Sequence, residues 1–205
     1  MNKFFKSPAL LLCFVIFYSS FSSAFYSVQD NGELLKPEEM QFLTEVQIIT
    51  QRASGVNLVG RIDRGLNEES SARLTVGAGE TDFHIGASYK WVPYPDLATQ
   101  PAIGFIFGAI YARYEEENEL SLRATALVSK AYESDIGPFT PFIALPIGIR
   151  NYAEETDFPI NLAVGTRYSH PDFETCEFTA ELGLNLNESF GYVSVGAVFP
   201  AFGLE

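Results

Sequence analysis

Histidine, cysteine and tryptophan are scarce in this chain: two, two and one among 205 residues. With only His84 and His170 present, a multi-histidine metal centre is all but excluded, and no metal or cofactor is expected. Cys13 lies in a leader-like N-terminus, so only Cys176 persists after export and no intramolecular disulfide can form. A lone thiol without an evident activating partner reads as a small apolar residue. An exported protein without a disulfide is stabilised by its own packing or by a membrane.

Basic residues are also few. Thirteen Lys and Arg face 26 Asp and Glu, a net charge of -13, or -15 once Lys3 and Lys6 leave with the leader. Such a chain repels phosphates, so nucleic acid is not an expected partner. The apolar run 9–18 falls short of the roughly 20 residues a membrane-spanning helix needs. Lys3 and Lys6 before it and Ser22-Ser23-Ala24 after it mark a cleaved signal peptide over 1–24. Leu11 and Leu12 are too large for a lipoprotein leader at Cys13.

What the chain does have is alternation. In 82–91, Phe83, Ile85, Ala87, Tyr89 and Trp91 fall on one side, and Asp82, His84, Gly86, Ser88 and Lys90 on the other. A period of two makes a strand with one apolar and one polar face. Strands are expected at 56–63, 71–79, 82–91, 102–113, 119–130, 138–150, 158–168, 176–187 and 190–199, near the length a tilted membrane strand requires. Acidic or Pro-containing turns separate them, and no long helix intervenes, so neighbours pair as antiparallel hairpins.

Nine strands is an odd count, whereas single-chain bacterial barrels have an even one. Residues 37–52 read equally as a helix opened by Pro37-Glu38-Glu39 or as a tenth strand in which Val46, Ile48 and Thr50 alternate with Glu45, Gln47 and Ile49. The barrel therefore has ten strands, or eight; ten is favoured, although it puts the connections 64–70 and 92–101 on the side of the termini. The expected division is 1–24 signal peptide, 25–54 N-terminal periplasmic segment (helix or first strand) and 55–205 barrel domain. Pro141 and Pro146 fall inside a strand, and a bulge near Pro146-Ile147-Gly148 is expected to absorb them.

The polar face carries Arg61, Asp63, Arg73, Glu119, Arg123, Arg167, Glu177 and Glu181, favouring Arg over Lys as planar pairing in a confined lumen would. These eight residues are the expected luminal ion-pair network. Tyr89, Trp91, Tyr111, Tyr114, Tyr132, Tyr152, Tyr168 and Tyr192 lie near strand ends and form the expected aromatic girdle. Glycines recur on the polar side, at Gly77, Gly86, Gly148, Gly165 and Gly183, where a narrow interior needs small residues. The stretch 102–112 is apolar throughout and shows no clean faces.

Residues 190–199, with Tyr192, Val193, Val195 and Phe199, resemble the C-terminal strand of outer-membrane barrels; Pro200 to Glu205 follow, where such proteins usually end on the aromatic. By pattern the mature chain resembles small outer-membrane barrels of the OmpA/OmpX/OmpW type. The resemblance implies an antiparallel up-and-down transmembrane β-barrel of eight to ten strands in the outer membrane of a Gram-negative cell. Its implied partners are outer-membrane lipid and lipopolysaccharide and the barrel-assembly machinery. With so few strands the lumen is filled by side chains, which points to a structural, interaction or small-pore role without catalysis.

Two other readings stand beside it. A soluble periplasmic or secreted barrel would turn the apolar face inward around a hydrophobic ligand. An outer-membrane lipid hydrolase would use His with Ser, but Asp172 stands two positions after His170 where such enzymes carry Ser, and no GxSxG elbow is present.

Overall fold

A computed structural model describes residues 26–50, 55–114, 117–153, 155–173 and 175–200, with the side chain of Tyr114 left out. The expected signal peptide lies outside these residues. Eleven strand segments follow one another: β1 (Met40–Ile49), β2 (Gly55–Asn67), β3 (Ser70–Gly79), β4 (Phe83–Tyr94), β5 (Ala102–Tyr114) and β6 (Glu117–Ser129), then β7 (Phe139–Tyr152), β8 (Glu155–Asp157), β9 (Ile160–Tyr168), β10 (Glu177–Asn187) and β11 (Tyr192–Phe199).

Each strand pairs antiparallel with its neighbour in sequence, and β1 closes the sheet onto β11 from Phe42↔Phe199 to Ile49↔Tyr192. Segments β8 and β9 are two pieces of one strand that both pair with β7, interrupted at Phe158-Pro159. The result is a closed barrel of ten strands. Residues 40–49, ambiguous in sequence, form a strand because β2 and β11 bind both of their edges.

The apolar face points outward. Val46, Leu58 and Val195 sit side by side in the middle of the wall, and Leu58 is 63% exposed. Arg61, one strand position away in parity, is 3% exposed and points into the lumen. A water-soluble calyx needs the opposite arrangement, so the soluble ligand-binding reading is overturned; an apolar outer band is what a bilayer covers. The fold is that of a transmembrane β-barrel.

Three further expectations are corrected. The first concerns the chain ahead of the first strand: residues 26–32 lie buried in the lumen rather than outside the barrel, while 40–49 take the first-strand alternative and belong to the wall. The second is the bulge at Pro146. Register between β7 and the β8/β9 strand is the same on both sides of it, at Ala144↔Ala163, Ile147↔Ile160 and Arg150↔Asp157. The proline is accommodated by a gap in that one ladder, while the β6 ladder runs through unbroken. Third, the 64–70 connection is a tight turn, since strand pairing persists to Asn67↔Ser70.

The longer connections, 95–101, 130–138 and 169–176, do lie at the mouth where β1 begins and β11 ends. This is the termini mouth; the opposite one is the far mouth.

The stretch 102–112 has no polar face because the lumen beside it is apolar. Ile106 and Ile110 point inward from β5, as do Leu127 from β6, Phe142 and Ala144 from β7, and Ala163 from β9. Much of the remaining lumen is polar or charged, with Leu43, Val59, Val92 and Val198 as further apolar inward positions. Inward glycines make room for rings there: a Cβ on Gly183 would stand 2.1 Å from the Tyr192 ring, and one on Gly77 would stand 2.3 Å from the His84 ring.

Candidate functional site: a lumen occupied by the N-terminal segment

Residues 26–32 run the length of the lumen. Tyr26 packs with Ile49, Ala112 and Phe190 near the far mouth. Gly32 lies against Ala102 and Ser129 at the level of the termini mouth. Glu38 and Glu39 then exchange backbone bonds with Gly65 before the chain turns into β1. Between these points the segment has no strand partner, so its backbone groups must find side chains instead.

The wall supplies them in two charged clusters. In one, Asp63 of β2 is held by Arg73 of β3, with Nη2 to Oδ2 at 2.7 Å, and by Gln41 of β1 at 2.7 Å. Arg73 also reaches Asp30 of the segment at 3.2 Å, and Lys90 of β4 reaches Asp30 at 2.8 Å. In the other, Arg61 of β2 pairs with Glu45 of β1, and both bind the Ser27 hydroxyl. Buried charges are tolerated only when paired and hydrogen-bonded in this way.

Across the lumen, Glu181 of β10 accepts the Val28 N–H at 2.8 Å, the Gln29 N–H and the Tyr192 hydroxyl. Gln29 binds Ser194 and Thr179 through its side chain. The Val28 side chain packs into the apolar part of the lumen with Ile106, Leu127 and Phe142. The space left between Tyr26, Ser27 and Val28 and the wall of β2–β6 is about 20 Å³, room for a single water.

All eight residues expected in the ion-pair network sit on the inward parity of their strands, but the structure does not join them to one another as a set. Arg73 and Asp63 pair, and Arg167 and Glu177 approach to 3.5 Å. Arg167 also meets Glu33 at 3.2 Å, while Arg123 donates to the Tyr26 carbonyl at 2.7 Å. Glu119 is buried on β6, where its carboxylate accepts from Ser121 at 3.2 Å. The partners absent from the sequence reading are Asp30, Glu33, Glu45 and Lys90. Glu45 and Lys90 were legible as inward positions of alternating strands; Asp30 and Glu33 lie in an irregular segment with no periodicity to place them.

Of the expected girdle, Tyr89, Trp91, Tyr111 and Tyr132 are exposed on the outside, and Tyr168 is half-buried with its hydroxyl on the Ile136 carbonyl. Tyr89, Trp91, Tyr132 and Tyr168 ring the termini mouth, and Tyr111 packs at a tilt against Phe83 at the far mouth. Two members are corrected. Tyr192 is fully buried and points inward at Gly183, because Val193, Val195 and Phe199 hold the outward parity of β11. Tyr152 shares the inward parity of Arg150 at the rim. The Tyr114 side chain lies outside the described residues.

No family model and no curated protein matches the sequence. Among solved structures, an outer membrane channel from Pseudomonas putida F1 is similar at 11% identity, covering 82% of this chain and 97% of its own, with a TM-score of 0.50. A de novo designed transmembrane β-barrel has 12% identity, covers 82% of this chain and 100% of its own, and has a TM-score of 0.42. The translocator domain of the autotransporter NalP from Neisseria meningitidis has 12% identity, coverage of 80% and 87%, and a TM-score of 0.46. At these identities the likeness is one of fold.

Proposed function

We propose that the chain is an integral outer-membrane barrel kept closed by its own N-terminal segment, with a structural or interaction role rather than that of an open porin, and without enzymatic activity. The observation that carries this reading is the occupied lumen: residues 26–32 are buried within it, and the cavity left between Tyr26, Ser27 and Val28 and the wall is about 20 Å³. The outward apolar wall and the leader-like N-terminus support an outer-membrane location. Lipid and lipopolysaccharide are then the partners of the wall, and the assembly machinery is the partner of β11, whose Val193, Val195 and Phe199 face outward.

The histidines favour a non-enzymatic role. Among the described residues the His84 ring nitrogens meet no hydrogen-bond partner, and its ring packs 4.3 Å from that of Tyr26. Ser169 gives its hydroxyl to Glu177 at 2.6 Å, so that proton is directed to a carboxylate rather than to the adjacent His170.

The test is fractionation of cells expressing the full chain, electrophoresis of boiled and unboiled samples, and conductance in planar bilayers. Outer-membrane recovery, heat-modifiable migration and no steady conductance are expected. Recovery in the soluble fraction would overturn the location, and an ohmic open channel would overturn the closure.

A further inference from the structure

The lumen holds the N-terminal segment largely by its main chain. Arg123 donates to the Tyr26 carbonyl at 2.7 Å and Arg61 to that of Ser27 at 3.1 Å. Arg73 donates to Val28 at 2.9 Å and to Gln29 at 3.3 Å. Lys90 donates to Asn31 at 3.3 Å and to Glu33 at 2.7 Å. Four cations, one from each of β2, β3, β4 and β6, thus serve six carbonyls.

On the other side, the carboxylate of Glu181 takes two successive N–H groups. In extended chain successive amides point to opposite sides. Here the Val28 and Gln29 amides converge on one anion, so the chain departs from the extended form at Val28, and Gln29 beside it is left-handed with φ of 43°. The Gly32 N–H ends the series on the Ser129 hydroxyl at 2.8 Å.

Main-chain groups belong to any polypeptide. A lumen that needed only filling would close with apolar side chains, as it does beside β5–β7. The charged half instead presents long donors at nearly every carbonyl of the segment. Side-chain selection by charge or shape is sharpest at the Asp30 carboxylate between Arg73 and Lys90, and at Gly32, where a Cβ would stand 2.3 Å from that of Ala102. Ser27 and Gln29 add hydrogen bonds to Glu45, Arg61, Ser194 and Thr179 through donor and acceptor groups that Ser, Asn and Gln all carry, and Glu33 meets Arg167 at the mouth.

We propose that the lumen is a binding site for an irregular polypeptide segment, read through its main chain and through one acidic residue followed two positions on by glycine, and that residues 26–33 occupy it in cis. The inference rests on the closed-barrel reading, because the cis segment must leave before another peptide enters.

The test uses the full chain with a protease site inserted between Leu35 and Lys36, at the mouth, so that the barrel assembles with its segment in place. Conductance before cutting checks closure alone: an uncut chain that conducts overturns the closed-barrel reading, whatever peptides do. After cutting, fluorescence anisotropy follows four labelled peptides: residues 26–35 as they stand, the same with Ser27, Gln29 and Asn31 interchanged, the same with N-methyl groups at Val28 and Gln29, and the same with Asp30→Asn.

The first two are expected to bind within tenfold of each other, and the last two at least tenfold more weakly. Equal binding of the N-methylated peptide overturns main-chain reading. A loss greater than tenfold on interchange makes the segment a side-chain lock and overturns the inference. Failure of the unaltered peptide to replace the cut fragment makes the segment a permanent part of the barrel and overturns it as well.

Discussion

Glu181 on β10 and Val28 in the N-terminal segment, 153 residues apart, are joined by a 2.8 Å hydrogen bond from the Val28 N–H to the carboxylate. The same carboxylate holds Gln29 and Tyr192, so one side chain ties the segment to the wall and the wall to itself. Glu181→Gln keeps the volume but replaces a charged acceptor with a group that is half donor. The expected cost is about 2 kcal/mol, concentrated on the segment. Amide hydrogen exchange at Val28 and Gln29 is expected to rise about thirtyfold, with the wall strands unchanged. Unchanged protection at both amides would show that Glu181 does not hold the segment.

Arg61 and Glu45 make a second, separable prediction. Their side chains are 2% and 0% exposed, so removing one leaves a buried charge without its partner. Arg61→Met is expected to cost about 3–5 kcal/mol in unfolding from lipid bilayers, and adding Glu45→Gln to recover most of that loss. The Arg64–Glu38 pair, with side chains 52% and 76% exposed, is the control: Arg64→Met is expected to cost less than about 1 kcal/mol. Equal losses at the two arginines would contradict the placement of Arg61 in the lumen.

Much of the wall was legible in sequence because strand alternation is a local signal. Phe83, Ile85 and Tyr89 on one face and His84 and Lys90 on the other suffice to orient β4. The stretch 102–112 defeated that signal, since Ile106 and Ile110 face an apolar half of the lumen and both faces of β5 are apolar. Residues 40–49 carried both periodicities at once, and only pairing with β2 and β11 decides between them. Tyr192 faces the lumen despite its place near a strand end, which says nothing of parity; the outward Val193, Val195 and Phe199 set that, and Gly183 leaves room for the ring. The segment 26–32 was illegible for a different reason. Its contacts run 97 residues to Ser129 and 153 to Glu181, and nothing in its own residues announces partners at that distance.

The outward wall yields a depth-dependent prediction. Val195 faces outward in the middle of β11, next to Val46, whereas Ile136 is 70% exposed in the 130–138 loop. Val195→Arg is expected to cost about 2–4 kcal/mol and to reduce assembly into membranes. Ile136→Arg, in a loop beyond the wall, is expected to cost under about 1 kcal/mol. Unfolding titrations in bilayers separate the two, and an innocuous Val195→Arg would count against a lipid-facing wall.

The 95–101 and 130–138 loops give a prediction about pH. Asp96 accepts the Ala131 N–H at 2.7 Å and pairs with Lys130, which also donates to the Gln100 carbonyl at 3.3 Å. The Ala131 amide first, and then Lys130, hold the Asp96 carboxyl below its ordinary value. A carboxyl whose value is depressed in the folded state contributes its full stabilisation above the ordinary carboxylate range. That contribution fades as pH falls through the range and is gone below the folded value. Ala131 amide protection, corrected for intrinsic exchange, is therefore expected to hold at pH 5 and to fall as pH drops below about 4. Asp96→Asn is expected to remove that dependence while leaving the luminal amides of Val28 and Gln29 as they were, since the loop clamp and the luminal clamp share no residue. Protection at Ala131 that falls already above pH 5, or that keeps its pH dependence in Asp96→Asn, would assign the loop contact to some other group.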